Sequence, residues 1–316
     1  MYQLGYRTLL VLLVCVCIET VPTRAAIAQS KGGAAQTLTT EDNVSIRITY
    51  YPALEDKVAD GLSNAPVVVL LHDAKGSRLE WDKTPAPIKK LPLPELLQDW
   101  GFAAITVDLR KHGDSKIPGR EETVAVDDYP KMVLGDMGAV KEFLFKEHQA
   151  KKLNMAKLAV VGVGMSAPVA AGFADADWSQ RPHDDAPVVA DKTPQGQTIK
   201  ALIMISPTPA AGRLQTTRLL PLLRKNGLAF MVIVGADDAE DKSQAKKCYD
   251  VMAVGQKKGD KDPKVVFYAP KSKDRGIELF ARSGDPEKLI YNFLDHHLKS
   301  LSIPWQDRRS RLNRDE

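Results

Sequence analysis

Residues that could do chemistry cluster directly after the apolar runs of this sequence. A histidine and a carboxylate, His72 and Asp73, follow one run, and the glycine-rich turn Gly162–Ser166 follows another. The acidic pair Asp237–Asp238 follows a third run. In open parallel sheets, ligands bind just beyond the carboxyl ends of the strands. Histidine and carboxylate side chains at that edge can bind polar ligands and transfer protons, so these residues are candidates for a binding or catalytic site.

The elements that must position them form an alternating pattern of strands and helices. Residues 44–50 alternate with period two, which predicts an early antiparallel strand. Later apolar runs are continuous, which is typical of strands buried on both faces of a parallel sheet. The predicted fold is a doubly wound α/β domain, with a mostly parallel central sheet flanked by helices. The predicted buried strands are Val67–Leu71, Ala103–Val107, Leu158–Val161, Ala201–Ile205, Ala229–Val234 and Val265–Tyr268; the predicted helices are Pro94–Trp100, Met132–Phe145, Leu214–Arg224, Lys242–Met252 and Pro286–Leu298.

The two ends of the chain differ in composition from this domain. Arg7, the apolar run 9–18 and a small-residue site ending at Ala28 predict a signal peptide over residues 1–28, cut after Ala28. The run is about half the roughly 20 residues that a membrane helix needs, so we expect an exported protein, periplasmic or extracellular, without a stable membrane span. We expect a linker over 29–43, the domain over 44–300 and a polar tail over 301–316. The irregular insertion 175–197 is too short for a second domain, so we expect no sizeable cap.

Composition excludes several classes of partner. The 44 Lys and Arg residues nearly balance the 40 Asp and Glu residues, without a long basic block, so nucleic acid is not an expected ligand. The histidines and Cys248 show no metal-ligand spacing, so no metal is expected. Gly162 and Gly164 lack the third glycine of a dinucleotide-binding loop, and no cofactor is expected either.

Four motifs in order along the chain resemble those of the α/β-hydrolase superfamily, over roughly residues 44–298. They are LLHDAKGS, VDLRKHGDS, LAVVGVGMSAPVAAGFA and VIVGADD. The resemblance implies an oxyanion loop at His72 and Asp73, a nucleophile elbow in the third motif and the acid of the triad at Asp238. It also implies that the backbone N–H after the nucleophile, that of Met165, helps to hold the oxyanion.

The elbow departs from the family pattern G-x-S-x-G, and two alignments are open. In the favoured one Gly162 is the first glycine, and Gly164 stands where the nucleophile should be, so the nucleophile is lost. In the rival one the frame slides by two residues, Ser166 is the nucleophile and Pro168 is the closing residue in the first helical turn. The small residues at 170 and 171 fit the first alignment better.

The base departs from the pattern as well. The only histidines after Asp238 are His296 and His297, both inside the last predicted helix. Arg275 stands where the loop should offer a histidine, and a guanidinium cannot act as a general base because it stays protonated. Asp73 replaces the glycine of the oxyanion loop, where a carboxylate opposes the charge that acyl transfer develops.

The remaining polar residues have structural interpretations. We expect His112 and Ser115 to fix the loop of Arg110 through hydrogen bonds, and His72 to pack under the same loop. We expect His148 and His183 to be solvated. Asp238 has two such roles open to it, capping the helix that follows or pairing with Arg275.

Two functions are therefore expected as alternatives. The first is an exported, catalytically degenerate hydrolase-like protein that binds a small molecule, a glycan or a protein at the former active-site pocket. The second is an active esterase or peptidase that uses Ser166 with a base other than histidine, such as Lys271 or Lys273. The first fits the altered positions better.

Overall fold

The structure is a computed structural model that describes residues 31–83, 91–257, 259–260, 263–282 and 286–314. Its centre is an eight-stranded sheet with the strand order β1-β2-β4-β3-β5-β6-β9-β10. The first two strands pair antiparallel, β2 pairs antiparallel with β4, and all later pairs are parallel. A separate two-stranded hairpin is formed by β7 and β8. The strands are β1 Ala34–Thr39, β2 Ser45–Tyr51, β3 Val67–Leu71, β4 Ala103–Val107, β5 Leu158–Val163, β6 Ile199–Ile205, β7 Ala210–Ala211, β8 Leu214–Gln215, β9 Ala229–Ile233 and β10 Val265–Tyr268.

Helices cover both faces of the sheet. One apolar core lies between the sheet and the helices α4 to α7, and the other lies between the sheet and the helices α1, α2, α8 and α9. Alternate residues of the same strand enter the two cores, as Ala103 and Ala104 of β4 do. The doubly wound α/β fold is thereby confirmed. The helices are α1 Arg78–Lys83, α2 Leu93–Asp99, α3 Asp128–Lys131, α4 Met137–Gln149, α5 Ser166–Ser179, α6 Thr216–Lys225, α7 Gln244–Met252, α8 Glu278–Arg282 and α9 Pro286–Leu294, with π-helical segments at Met132–Asp136 and Asp295–Lys299.

The start of the domain differs from the expected boundary. Within the expected linker 29–43, residues 34–39 form β1, which pairs with β2 from Ala34 opposite Tyr50 to Thr39 opposite Ser45. The composition of this segment resembles a linker because an edge strand needs few large apolar side chains. Its place in the sheet comes from pairing with β2. The expected signal peptide 1–28 lies outside the described residues.

The end of the chain, where a polar tail is expected, packs against the domain. Residues 301–314, which we name the C-terminal strap, contain only one short 3-10 turn but lie against the domain. The indole Nε1 of Trp305 donates to His148 O over 2.7 Å, and Asn154 Nδ2 donates to Ile303 O over 2.9 Å. The expectation that His148 is solvated is wrong, because its ring is fully buried beneath this strap and bonds to Gln306 O.

None of the helices in the described ranges is long and apolar enough to cross a membrane.

Candidate functional site

The turn between β5 and α5 has the geometry of a nucleophile elbow, with Gly164 at its tip. Gly164 has φ +51°, a left-handed conformation that favours glycine, and it joins the last residue of the strand to the helix within two residues. Its N–H donates to Ile205 O over 2.9 Å, and its carbonyl accepts from Thr208 N–H over 3.2 Å. At Gly162 a Cβ would lie 2.7 Å from Ala167 Cα, so strand and helix approach too closely there for a side chain. The turn therefore presents position 164 above the carboxyl ends of the parallel strands.

Ser166 does not lie at this tip. It is the first residue of α5 and is fully buried. Its Oγ accepts from Val163 N–H over 2.8 Å and donates to Val163 O over 3.0 Å. The hydroxyl therefore closes the turn beneath Gly164.

The carboxylate of Asp73 occupies the space above Gly164. Its Oδ1 accepts from Met165 N–H over 2.8 Å and from Ala74 N–H over 2.7 Å. A Cβ added to Gly164 would lie 2.1 to 2.3 Å from the carboxylate atoms of Asp73, far inside van der Waals contact. The side chain thus fills the volume of a residue-164 side chain and takes the N–H that follows it. The opposing charge of Asp73 could be predicted from the sequence, but this contact could not.

A second carboxylate lies beside the same loop and was missed by the sequence analysis. A Cβ on Gly76 would lie 2.3 Å from Glu80 Oε2, which places that carboxylate against the turn after β3. Burial and the nearby negative charge of Asp73 raise the pKa of Glu80. Glu80 belongs to α1, a six-residue helix that no sequence pattern predicted, so no signal indicated its position.

Asp238 and Arg275 form an ion pair at the expected acid and base positions. Arg275 Nη1 lies 2.7 Å from Asp238 Oδ2, and Arg275 Nη2 donates to Ser206 O over 3.2 Å. The side chain of Asp238 is only 3% exposed, whereas that of Arg275 is 25% exposed. The other carboxylate oxygen of Asp238 accepts from Glu240 N–H over 2.9 Å, within the loop that precedes α7. Of the two structural roles open to Asp238, the contacts match pairing with Arg275.

The histidine of the oxyanion loop is a buried, neutral hydrogen-bonding group. His72 Nε2 accepts from Leu109 N–H over 3.1 Å, so the proton is on Nδ1, which lies 2.7 Å from Asp73 O. Burial, and next the neighbouring ring of His112, lower the pKa of His72 to about 4. Ser115 Oγ donates to Asp108 O over 2.8 Å in the adjoining loop. These contacts hold the loops after β3 and β4 together.

Two buried arginines anchor the loop after β4. Arg78 pairs with the fully buried Asp108, and Arg110 Nη2 lies 2.7 Å from the fully buried Asp136. Arg110 Nη1 also lies 2.7 Å from Asp42, and the hydrogen bond to Arg110 holds the pKa of Asp42 well below its usual range. Burial raises the pKa of Asp136 to about 6, against the opposing effect of Arg110. Sequence analysis did not assign these carboxylates.

The late histidines do not belong to this site. His296 and His297 lie in the π-helical segment 295–299, and His297 Nε2 is 3.1 Å from Pro263 O. In the part of the chain that the structure describes, no three His, Cys, Asp or Glu side chains form a group that could hold a metal ion.

Neither models of protein families nor curated proteins match the sequence of this chain. Solved structures match its fold. A dienelactone hydrolase from Anabaena variabilis has a TM-score of 0.55 at 14% identity, over 84% of this chain and 98% of its own. An esterase of Pyrococcus furiosus has a TM-score of 0.52 at 15% identity, over 84% and 92%. A Xanthomonas campestris α/β serine hydrolase without lid has a TM-score of 0.50 at 18% identity, over 85% and 95%.

The sheet order and these structural relatives together define the class of this protein. It has the α/β-hydrolase fold, as the sequence motifs predicted. At such low identity the relatives establish the fold, and an activity has to be argued from the residues of this chain.

Proposed function

We propose that this chain is an exported, catalytically degenerate α/β-hydrolase-fold protein, which acts by binding a small molecule, a glycan or a protein at the former active-site pocket. The observation that carries the proposal is the contact between Asp73 Oδ1 and Met165 N–H. In an active member of the fold this N–H is free to stabilise the oxyanion of the tetrahedral intermediate. Here it is already bonded to an anion, which would repel a second one.

The nucleophile and the base support the same proposal. Gly164 has no side chain to attack a carbonyl, and Arg275 cannot accept a proton. Asp238 has no histidine to orient, because its carboxylate is bonded to Arg275. Three parts of the catalytic machinery are therefore altered together.

The alternative of an active enzyme requires Ser166 as the nucleophile. Its hydroxyl is buried and bonded to the backbone of Val163, and a substrate carbonyl would have to reach it beneath the turn. No contact in the described chain brings Lys271 or Lys273 to this hydroxyl. The degenerate interpretation needs no such rearrangement.

Labelling of the purified exported protein with a fluorophosphonate probe tests the proposal. We expect no adduct by intact mass, while an active serine esterase in the same tube is labelled fully. We also expect hydrolysis of p-nitrophenyl acetate no faster than by the Ser166→Ala variant. An adduct on Ser166, or activity that this substitution removes, would show that the protein is an enzyme.

A further inference from the structure

A cleft whose lining includes none of the elbow residues lies along α4, between the segment that follows β1 and the loop that precedes β5. Its volume is about 420 Å³, within the range of small-molecule sites. It lies among α4, the insertion that follows α5, and the C-terminal strap. The apolar part of its wall includes Phe145, Met155 and Pro194.

The inner wall of this cleft carries an arginine whose hydrogen-bonding capacity is largely unused. Arg308, in the strap, is only 7% exposed. Its Nη2 donates to Gly196 O over 2.6 Å. Among the described residues its guanidinium has no other hydrogen bond, and no carboxylate within salt-bridge distance. A guanidinium carries five N–H donors, so most of those of Arg308 are available to a ligand in the cleft.

The charges around Arg308 do not balance. The buried carboxylate of Asp177 interacts with Arg308 through its charge, without a direct hydrogen bond or salt bridge. Asp177 already accepts from Lys141 Nζ and from the N–H groups of Thr198 and Ile199. Burial lowers the pKa of Lys141, and its positive charge adds to that of Arg308. Lys141 and Arg308 therefore share one buried carboxylate whose acceptors are in use, and Arg308 is the cation left without an ion-pair partner among the described residues.

We propose that this cleft is a second binding site, for an amphiphilic organic anion whose carboxylate or phosphate group meets Arg308. Its apolar part would lie against the apolar wall, which continues outward to Leu134, 68% exposed. Two glutamates, Glu41 and Glu142, also line the cleft, and Glu142 is paired with Lys146 over 2.7 Å. The site is independent of the elbow and of the function proposed for it.

Calorimetric titration with sodium octanoate and with octyl phosphate tests the site, with octyltrimethylammonium as the cationic comparison. We expect saturable binding of one or both anions and weaker binding of the cation. Binding of either anion supports the proposal, and the tighter of the two identifies the headgroup. Arg308→Gln should weaken anion binding by about tenfold or more, because it removes charge-assisted hydrogen bonds. Arg309→Gln is the matched control, since Arg309 pairs with Asp307 on the exposed side of the strap, and it should change the affinity less than about twofold.

A second variant pair keeps the test decisive if Arg308→Gln fails to fold. Gly138 of α4 lines the cleft, and a Cβ added there meets no atom within 4 Å. Gly138→Glu should therefore fold and weaken octanoate binding by about fivefold or more, because it adds a carboxylate to the cleft. Gly138→Ala should leave the affinity unchanged. Equal affinity for the anions and the cation, no saturable anion binding, or unchanged binding in Gly138→Glu would each overturn the proposal.

Discussion

Substitutions that rebuild the catalytic residues are the most direct test of the proposal that this site is catalytically degenerate. On the sequence alone, Gly164→Ser with Arg275→His restores the nucleophile and the base next to Asp238. The structure changes this expectation, because a Cβ at position 164 would lie 2.1 to 2.3 Å from the Asp73 carboxylate. Contacts below 3.0 Å force a displacement, and Asp73 is held by two backbone N–H groups. Activity should therefore require Asp73→Gly as a third change, which also frees the N–H of Met165.

The expected magnitudes follow from the role of each part. Removal of a single oxyanion donor costs on the order of 10²–10³ in turnover in a serine protease, so the double variant with Asp73 retained should be at least about 10²-fold less active than the triple variant. Single changes should give almost nothing, since triad members act as a unit. A side chain at the positive φ of residue 164 adds strain of roughly 1–2 kcal/mol, which is the loss of stability expected in both variants that carry it.

The assay is hydrolysis of p-nitrophenyl acetate, with fluorophosphonate labelling to locate the nucleophile. The matched control carries Gly164→Ala in place of Gly164→Ser, keeping the backbone strain without the hydroxyl. A double variant as active as the triple variant would refute the argument that Asp73 blocks the site. A triple variant no more active than its Gly164→Ala control would show that the loop of Arg275 does not bring a histidine to Asp238.

Three other predictions concern stability and processing. Because the pKa of His72 in the folded protein is about 4, below its unfolded value, His72 favours folding at neutral pH, and this stabilisation is lost as the pH falls from 6.5 toward 4. Between pH 7 and pH 5 the free energy of unfolding, measured in urea, should fall by roughly 2 kcal/mol more for wild type than for His72→Asn, and parallel curves would contradict this. Gly196→Ala should lower the free energy of unfolding by about 1–3 kcal/mol or more, since its Cβ would lie 1.9 Å from Asp177 O. Gly138→Ala should not destabilise the protein, and equal unfolding midpoints for the two variants would refute the clash at Gly196. If the proposed export is right, amino-terminal sequencing of the mature chain should give a sequence that begins directly after Ala28, and a retained segment 1–28 would exclude the predicted cleavage.

The architecture could be predicted from the sequence because burial on both faces leaves a local mark. Strands such as β3 and β9 are continuous apolar runs, and helices such as α6 carry apolar residues at helical spacing. The tight turn at Gly164 could be predicted for the same reason, since a glycine that adopts positive φ follows directly after a buried strand. The absence of a nucleophile at Gly164 and the presence of Arg275 are statements of residue type, which one sequence contains in full.

Contacts between distant segments were decided only by the tertiary structure. Asp73 and Met165 are 92 residues apart, and no local pattern indicates that a carboxylate of one loop fills the turn of another. Strand β1 forms because β2 offers it a partner, and His148 is buried because the strap, 157 residues away, packs over it. Local sequence determines backbone propensity and the periodicity of burial, whereas the pairing of polar atoms depends on which segments the folded chain brings within hydrogen-bonding distance.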